Sequence, residues 1–235
     1  MKLIALFLRL TTYSSVMLGV FAIIAYDTSV GNFSQSTYVE DASATEWAQQ
    51  AFLLLMIIVC AVSARKYGTY RHVHVMLAVV AAVSLVREFN NHLGDGWKVG
   101  VVAILIPAAW YFYRNFRTFR QQLEAVAKTY SFAIIIIGGL ILHVFSRFYG
   151  YKAIWMDTLG DNYLRVVSRM AEEGIELLAY SIVLIGISEL YRSTRAIDRS
   201  VRLTKVSDRV VEKPRLRSPV REKPANRTSA RSCRL

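Results

Sequence analysis

The sequence predicts an all-α membrane protein: a bundle of six transmembrane helices, both termini cytoplasmic, with a basic tail. Three observations lead there. Apolar runs close to the length that crosses a hydrocarbon core recur at about 10–26, 46–64, 72–91, 98–114, 129–147 and 170–190. A chain of 235 residues that is 54% hydrophobic, with mean hydropathy +0.32, holds more apolar sequence in long runs than one water-soluble core needs. The connecting segments also alternate in charge, basic after the second and fourth runs and acidic or mixed after the first, third and fifth, which places the basic ones in the cytoplasm. Residues 1–191 are then one membrane domain and 192–235 a cytoplasmic tail.

The N-terminal MKLIALFLRL resembles a signal peptide, but Arg9 interrupts its apolar run and no small-residue cleavage site precedes Asp27. It reads as an uncleaved first helix with Lys2 and Arg9 inside. Residues 27–45 form an outside loop with Asp27, Glu40, Asp41 and a sequon at Asn32-Phe33-Ser34. Ser43-Ala44-Thr45-Glu46 is a capping box that starts the second helix. His72 and His74 open the third helix as interfacial histidines facing different ways. Gly94 and Gly96 turn the chain after it. Pro107 should kink the fourth helix. Arg114, Arg117, Arg120 and Lys128 make a basic inside loop. Gly138 and Gly139 permit close helix contact in the fifth. Residues 148–163 leave room for a short interfacial helix.

The sixth run opens on RVVSRMAEEGIELLAY, two arginines and three glutamates where a span should turn apolar. At 100° per residue Arg165, Arg169, Glu172, Glu176 and Tyr180 share one side, with Glu173 at its margin. Charges beside hydrocarbon face protein or water, so other helices must answer this stripe. The topology supplies candidates at the same depth. Glu46, Gln49 and Gln50 enter on the second helix, Arg87, Glu88 and Asn91 leave on the third, and His143 and Arg147 leave on the fifth. The expectation is one outward-facing polar pocket between helices two, three, five and six.

Such a pocket suits binding of a small solute, an ion or a lipid headgroup, in a sensor, assembly or accessory role. Arginines match phosphate or carboxylate, and glutamates match amines or cations. A metal-dependent hydrolase acting on lipids is a second reading. Its only available metal set is His143 with Glu172, Glu173 or Glu176, with His92 from the loop as a further candidate, poor in histidine for a zinc site. A proton-coupled transporter with Glu173 or Glu176 as carrier is a third. The bland reading is an ion-pair network that fixes the bundle. No cofactor is named by any motif. Haem needs facing histidines, and only His143 is well embedded.

Fourteen Lys or Arg against four Asp or Glu lie from Arg192 onward, so ten of the twelve net positive charges are in the tail. That tail is drawn to anionic lipid headgroups rather than to nucleic acid, since no aromatics interleave its charges. Residues 192–212 read as a weak amphipathic helix, and three prolines beyond Lys213 argue for disorder. Cys60 and Cys233 fall in different layers and form no pair. The expected location is a cell membrane, a bacterial inner membrane by preference. Expected partners are the bilayer and, beyond it, a membrane protein or a second copy of the chain.

Overall fold

A computed structural model describes residues 2–30, 43–89, 94–160, 163 and 165–212. Every regular element among them is helical. In chain order they are α1 (Lys2–Val30), α2 (Ala44–Lys66), α3 (Arg71–Glu88), α4 (Gly96–Arg114), α5 (Phe116–Ala127), α6 (Tyr130–Leu140), a π-helical turn (Ile141–Phe145), α7 (Ser146–Gly150), α8 (Lys152–Leu159) and α9 (Arg165–Glu212). Asn32, Glu40, Asp41, Asn91, His92, Asp161 and the tail beyond Glu212 lie outside the described residues. The chain divides into a unit of Met1–Asp198 and a second of Arg199–Leu235.

Five segments are long and apolar enough to cross a membrane: Leu6–Ser29, Ala44–Lys66, Gly96–Arg114, Tyr130–Gly150 and Val167–Val201. They mark the chain as a multi-pass membrane protein. The third expected span is not among them. α3 has 18 residues and carries Arg71, Arg87 and Glu88 at its ends, too many charges for its length. Large side chains such as Phe7, Phe21, Ile106 and Val102 stand exposed on α1 and α4. A water-soluble chain rarely shows so much apolar surface, and lipid is the solvent that fits it.

Within the first unit, α9 is the element the others pack against. More than half of its apolar window is buried, against 6% to 28% in the other four spans. The flanks of the charged stripe are buried too, with Leu177 and Ala179 at 0% exposure. Neighbours surround it: Ile24 of α1 lies against Gly174, Gln49 of α2 bonds to it, and Val183 packs on Gly138 of α6. A methyl on Gly138 would meet Val183 Cγ2 at 2.7 Å and Ala179 O at 3.2 Å, and one on Gly186 would meet Ile135 Cγ1 at 2.7 Å. These two glycines let α6 and α9 touch backbone to backbone. Gly139 does not, because a Cβ there meets nothing within 4 Å.

Several local expectations change. α1 extends from Lys2 to Val30, so Asp27 sits on a helix. Its carboxylate accepts from Ala44 N at 3.0 Å and Thr45 N at 2.7 Å, capping α2 beside Ser43, whose Oγ accepts from Glu46 N. The basic segment after α4 is an amphipathic helix, α5, with Val126 buried and Arg117 and Arg120 exposed. His74 is a core residue at 0% exposure, its Nε2 3.2 Å from Thr194 Oγ1 of α9. Only His72 keeps a peripheral place, against the Tyr111 hydroxyl at 2.8 Å. α4 runs through Pro107 as one helix. The segment 148–163 does contain a short helix, α8, and α9 continues unbroken to Glu212.

Substituting Gly138→Leu or Gly186→Leu will lower stability by about 1–3 kcal/mol, the usual result of overpacking. Gly139→Leu will not. Thermal unfolding of the three variants in detergent checks the contrast.

Candidate functional site

The N-terminal half of α9 gathers side chains from four other elements around one cavity of about 370 Å³. Glu46 and Gln49 come from α2, Arg87 and Glu88 from α3, Trp97 from α4, Arg147 from α7, and Arg169, Glu172, Glu173 and Glu176 from α9. The spacing explains the gathering. α2 and α4 begin at this end of the bundle and α3 ends there, so the polar termini of these helices fall at one level.

Glu176 is the deepest charge, 7% exposed. Two guanidinium groups reach its Oε1, Arg147 at 3.7 Å and Arg87 at 4.0 Å, and the Ser146 hydroxyl donates to the same atom at 3.4 Å. Arg147 also bridges to Glu172 at 3.0 Å, and Arg87 lies 3.7 Å from Glu88. Tyr180 donates its hydroxyl to Glu88 Oε1 at 2.9 Å, and Gln49 Nε2 donates to the Glu173 carbonyl at 3.0 Å. Gly150 lies so close to Glu172 that a methyl there would run into the carboxylate. The cavity thus has both signs, with five glutamates and three arginines on its wall. Such a wall can hold a cation, an anion, or a molecule bearing both.

Compared with known proteins, the chain matches no family model, no curated protein and no solved structure.

Of the residues singled out from sequence, Glu46, Arg87, Glu88, Arg147, Arg169, Glu172, Glu173 and Glu176 line this cavity. Gln50 is half-buried beside it and does not line it; its neighbour Gln49 does, 1% exposed. Asn91 is outside the described residues. His143 is elsewhere. It is exposed and borders an apolar groove instead, because the π-helical turn rotates it away from Arg147 and the acids. The trio His143, Glu173 and Glu176 therefore does not assemble, and no group of three metal-ligating side chains occurs among the described residues. Arg165 is exposed and lines a second cavity with Lys152 and Ser168, which shares Arg169 and Glu172 with the first.

Two features escaped the sequence reading. Trp97 follows the Gly94–Gly96 turn, and its depth beside Arg87 is the signal that would have found it. The other lies at the far end of α9. Glu189 is 3% exposed and accepts from Tyr13 OH, from Tyr130 OH at 2.8 Å and from Arg192 Nη1 at 3.0 Å, with Arg9 Nη1 at 3.5 Å. It ties α1 and α6 to α9.

Removing either arginine from Glu176 leaves it one guanidinium, so Arg87→Ala and Arg147→Ala will each cost about 1 kcal/mol. The double variant leaves a buried carboxylate without a counter-charge and will exceed their sum by about 1–3 kcal/mol. Adding Glu176→Gln will recover most of that excess. A double-mutant cycle on unfolding free energies tests it.

Proposed function

We propose that this chain is a membrane binding protein whose polar cavity opens outward and takes a small charged solute, an ion or a lipid headgroup, in a sensing, assembly or accessory role. The observation that carries this is the cavity itself: ten side chains from five elements around about 370 Å³ of open space, with an ion-paired Glu176 at its base. An ion-pair network serving only to fasten helices would close on itself, as the one around Glu189 does. This one leaves room. Little supports proton transport, since from Leu177 to Ser188 α9 offers only Tyr180, Ser181 and Ser188 as polar groups, and Ser181 is spent on Leu178 O and Met17 Sδ.

The outward orientation rests on six crossings, with α3 as the sixth. α3 packs between α2 and α4, which are both long enough to span, and the turn between α2 and α3 is four residues. At about 1.5 Å per residue its 18 residues reach roughly 27 Å, close to a hydrocarbon thickness. Its charges lie at its two ends, where headgroups and the polar cavity receive them. The basic tail and α5 then face the cytoplasm and its anionic lipids.

Native mass spectrometry of the detergent-purified chain, with metal analysis on the same sample, tests the binding. A bound non-protein mass should survive purification and be lost in Arg169→Ala and Glu176→Gln. A bare wild-type mass, with both variants simply less stable, would sink the proposal in favour of a purely structural network.

Orientation is tested separately. Cys233 should react with an impermeant maleimide only after cells are opened, and a single cysteine placed at Lys2 should behave the same way. Opposite accessibility of the two ends would mean five crossings.

A further inference from the structure

We propose that the second cavity, between α8 and the start of α9, binds a phosphate group, carried either by free inorganic phosphate or by a lipid headgroup. This is a different site from the ion-paired cavity, and it stands whether or not that cavity holds a ligand.

The cavity measures about 430 Å³. Lys152 of α8 and Tyr163 line one part of it, and Arg165, Ser168, Arg169 and Glu172 of α9 line another. Its charge is opposite in sign to that of the first cavity. Glutamates outnumber arginines there, whereas three cations meet one acid here. That acid is already answered, because Glu172 bridges to Arg147 at 3.0 Å. Arg169 has an interaction of its own within the protein, so the assignment rests on the other two cations. Lys152 and Arg165 are exposed, and neither forms an ion pair among the described residues.

The placement of these cations is locally unfavourable. α9 has no acidic residue in its first turn and opens on Arg165. A cation there opposes the helix dipole, whose N-terminal end is itself positive. Arg165 and Arg169 are four residues apart on one helix, a spacing at which like charges repel. Lys152 brings a third positive charge from α8. One anion among them turns each of these repulsions into an attraction. In the orientation proposed above, this cavity lies at the outer surface, where cations are scarce; residues 27–45 hold none. The positive-inside rule therefore does not account for the cluster.

The donors stand on two walls, a fork on α9 and an ammonium on α8. A planar carboxylate is satisfied by one fork, whereas a tetrahedral phosphate presents oxygens in several directions and takes both at once. The hydroxyls have a different part. Ser168 Oγ gives its proton to the Arg165 carbonyl at 3.0 Å, so the Tyr163 hydroxyl must donate to Ser168, also at 3.0 Å. Ser168 is 4% exposed. This chain of bonds pins the segment before α9 to its first turn and fixes the backbone that presents Arg165.

The experiment is isothermal titration of the full chain in a neutral detergent with sodium phosphate, with sodium acetate at matched ionic strength, and with dihexanoyl phosphatidylglycerol as a lipid-borne phosphate. One saturable phosphate site per chain is expected, about tenfold tighter than any for acetate. Arg165→Ala and Lys152→Ala should each weaken it about tenfold, the usual result of losing one charge-assisted bond. Lys98→Ala removes a cation held by Asp95 at the same end of the bundle and should change it less than twofold. In phosphate-free buffer Arg165→Ala should unfold no earlier than wild type, since it removes a repulsion. Tighter binding of the soluble lipid than of inorganic phosphate assigns the site to a headgroup, and the reverse assigns it to the free ion. Absence of saturable binding by both, equal binding of acetate, or an equal loss in Lys98→Ala overturns the site. Earlier unfolding of Arg165→Ala without phosphate would mark a structural contact and overturn it as well.

Discussion

The structure depends on keeping two carboxylates inside one apolar helix. Glu176 and Glu189 are both nearly excluded from solvent, and at about 1.5 Å per residue they stand roughly 20 Å apart on α9. Neither is tolerable alone in a low-dielectric interior. Each must therefore recruit donors from other helices, and that requirement decides which helices surround α9. Arg87 and Arg147 bring α3 and α7 to one end. Arg9, Tyr13 and Tyr130 bring α1 and α6 to the other. Between the two levels the contact is apolar, and at Gly138 and Gly186 it is close enough to exclude even a methyl group. The charges set the register and the glycines set the distance.

The two carboxylates are answered differently. Glu189 has four donors, two of them neutral phenols. Glu176 has two long guanidinium contacts and a hydroxyl at 3.4 Å, around open volume. A clasp gains from short bonds and full enclosure. A site gains from partners that can be exchanged, because an entering ligand must take over contacts the resident groups already make. The half-exposed Arg147, bridging Glu172 and Glu176 at once, is placed for such an exchange.

Much of the fold and part of the cavity could be read from the chain because helix periodicity is local. Glu172, Glu176 and Tyr180 share a face by spacing alone, and the capping serine at position 43 needs only its next three residues. What could not be read depends on distant or irregular geometry. His143 and Arg147 are one turn apart in an α-helix, but the π-helical turn inserts an extra residue into that turn and separates them. Glu189 reads as an ordinary residue near a helix end, since three of its four partners lie 59 to 180 positions away. His74 reads from sequence as an interfacial residue because nothing in its neighbourhood foretells that Thr194 will cover it. α5 was hidden because a dozen residues rich in arginine satisfy the charge rule for a loop as well as for a helix.

The same π-helical turn links the packing of the bundle to the cavity. Ahead of it, Gly138 must face Val183 for α6 and α9 to close. Beyond it, Arg147 must face Glu172 and Glu176. A regular helix fixes the angle between positions 138 and 147 at nine steps of 100°, which puts them on opposite sides. One wide turn changes that angle and lets a single segment serve both contacts. It also swings His143 off the charged wall and onto the border of a mainly apolar groove. The irregularity that takes the histidine away from the acids thus sets a charged compartment beside a mainly apolar one along the same helix.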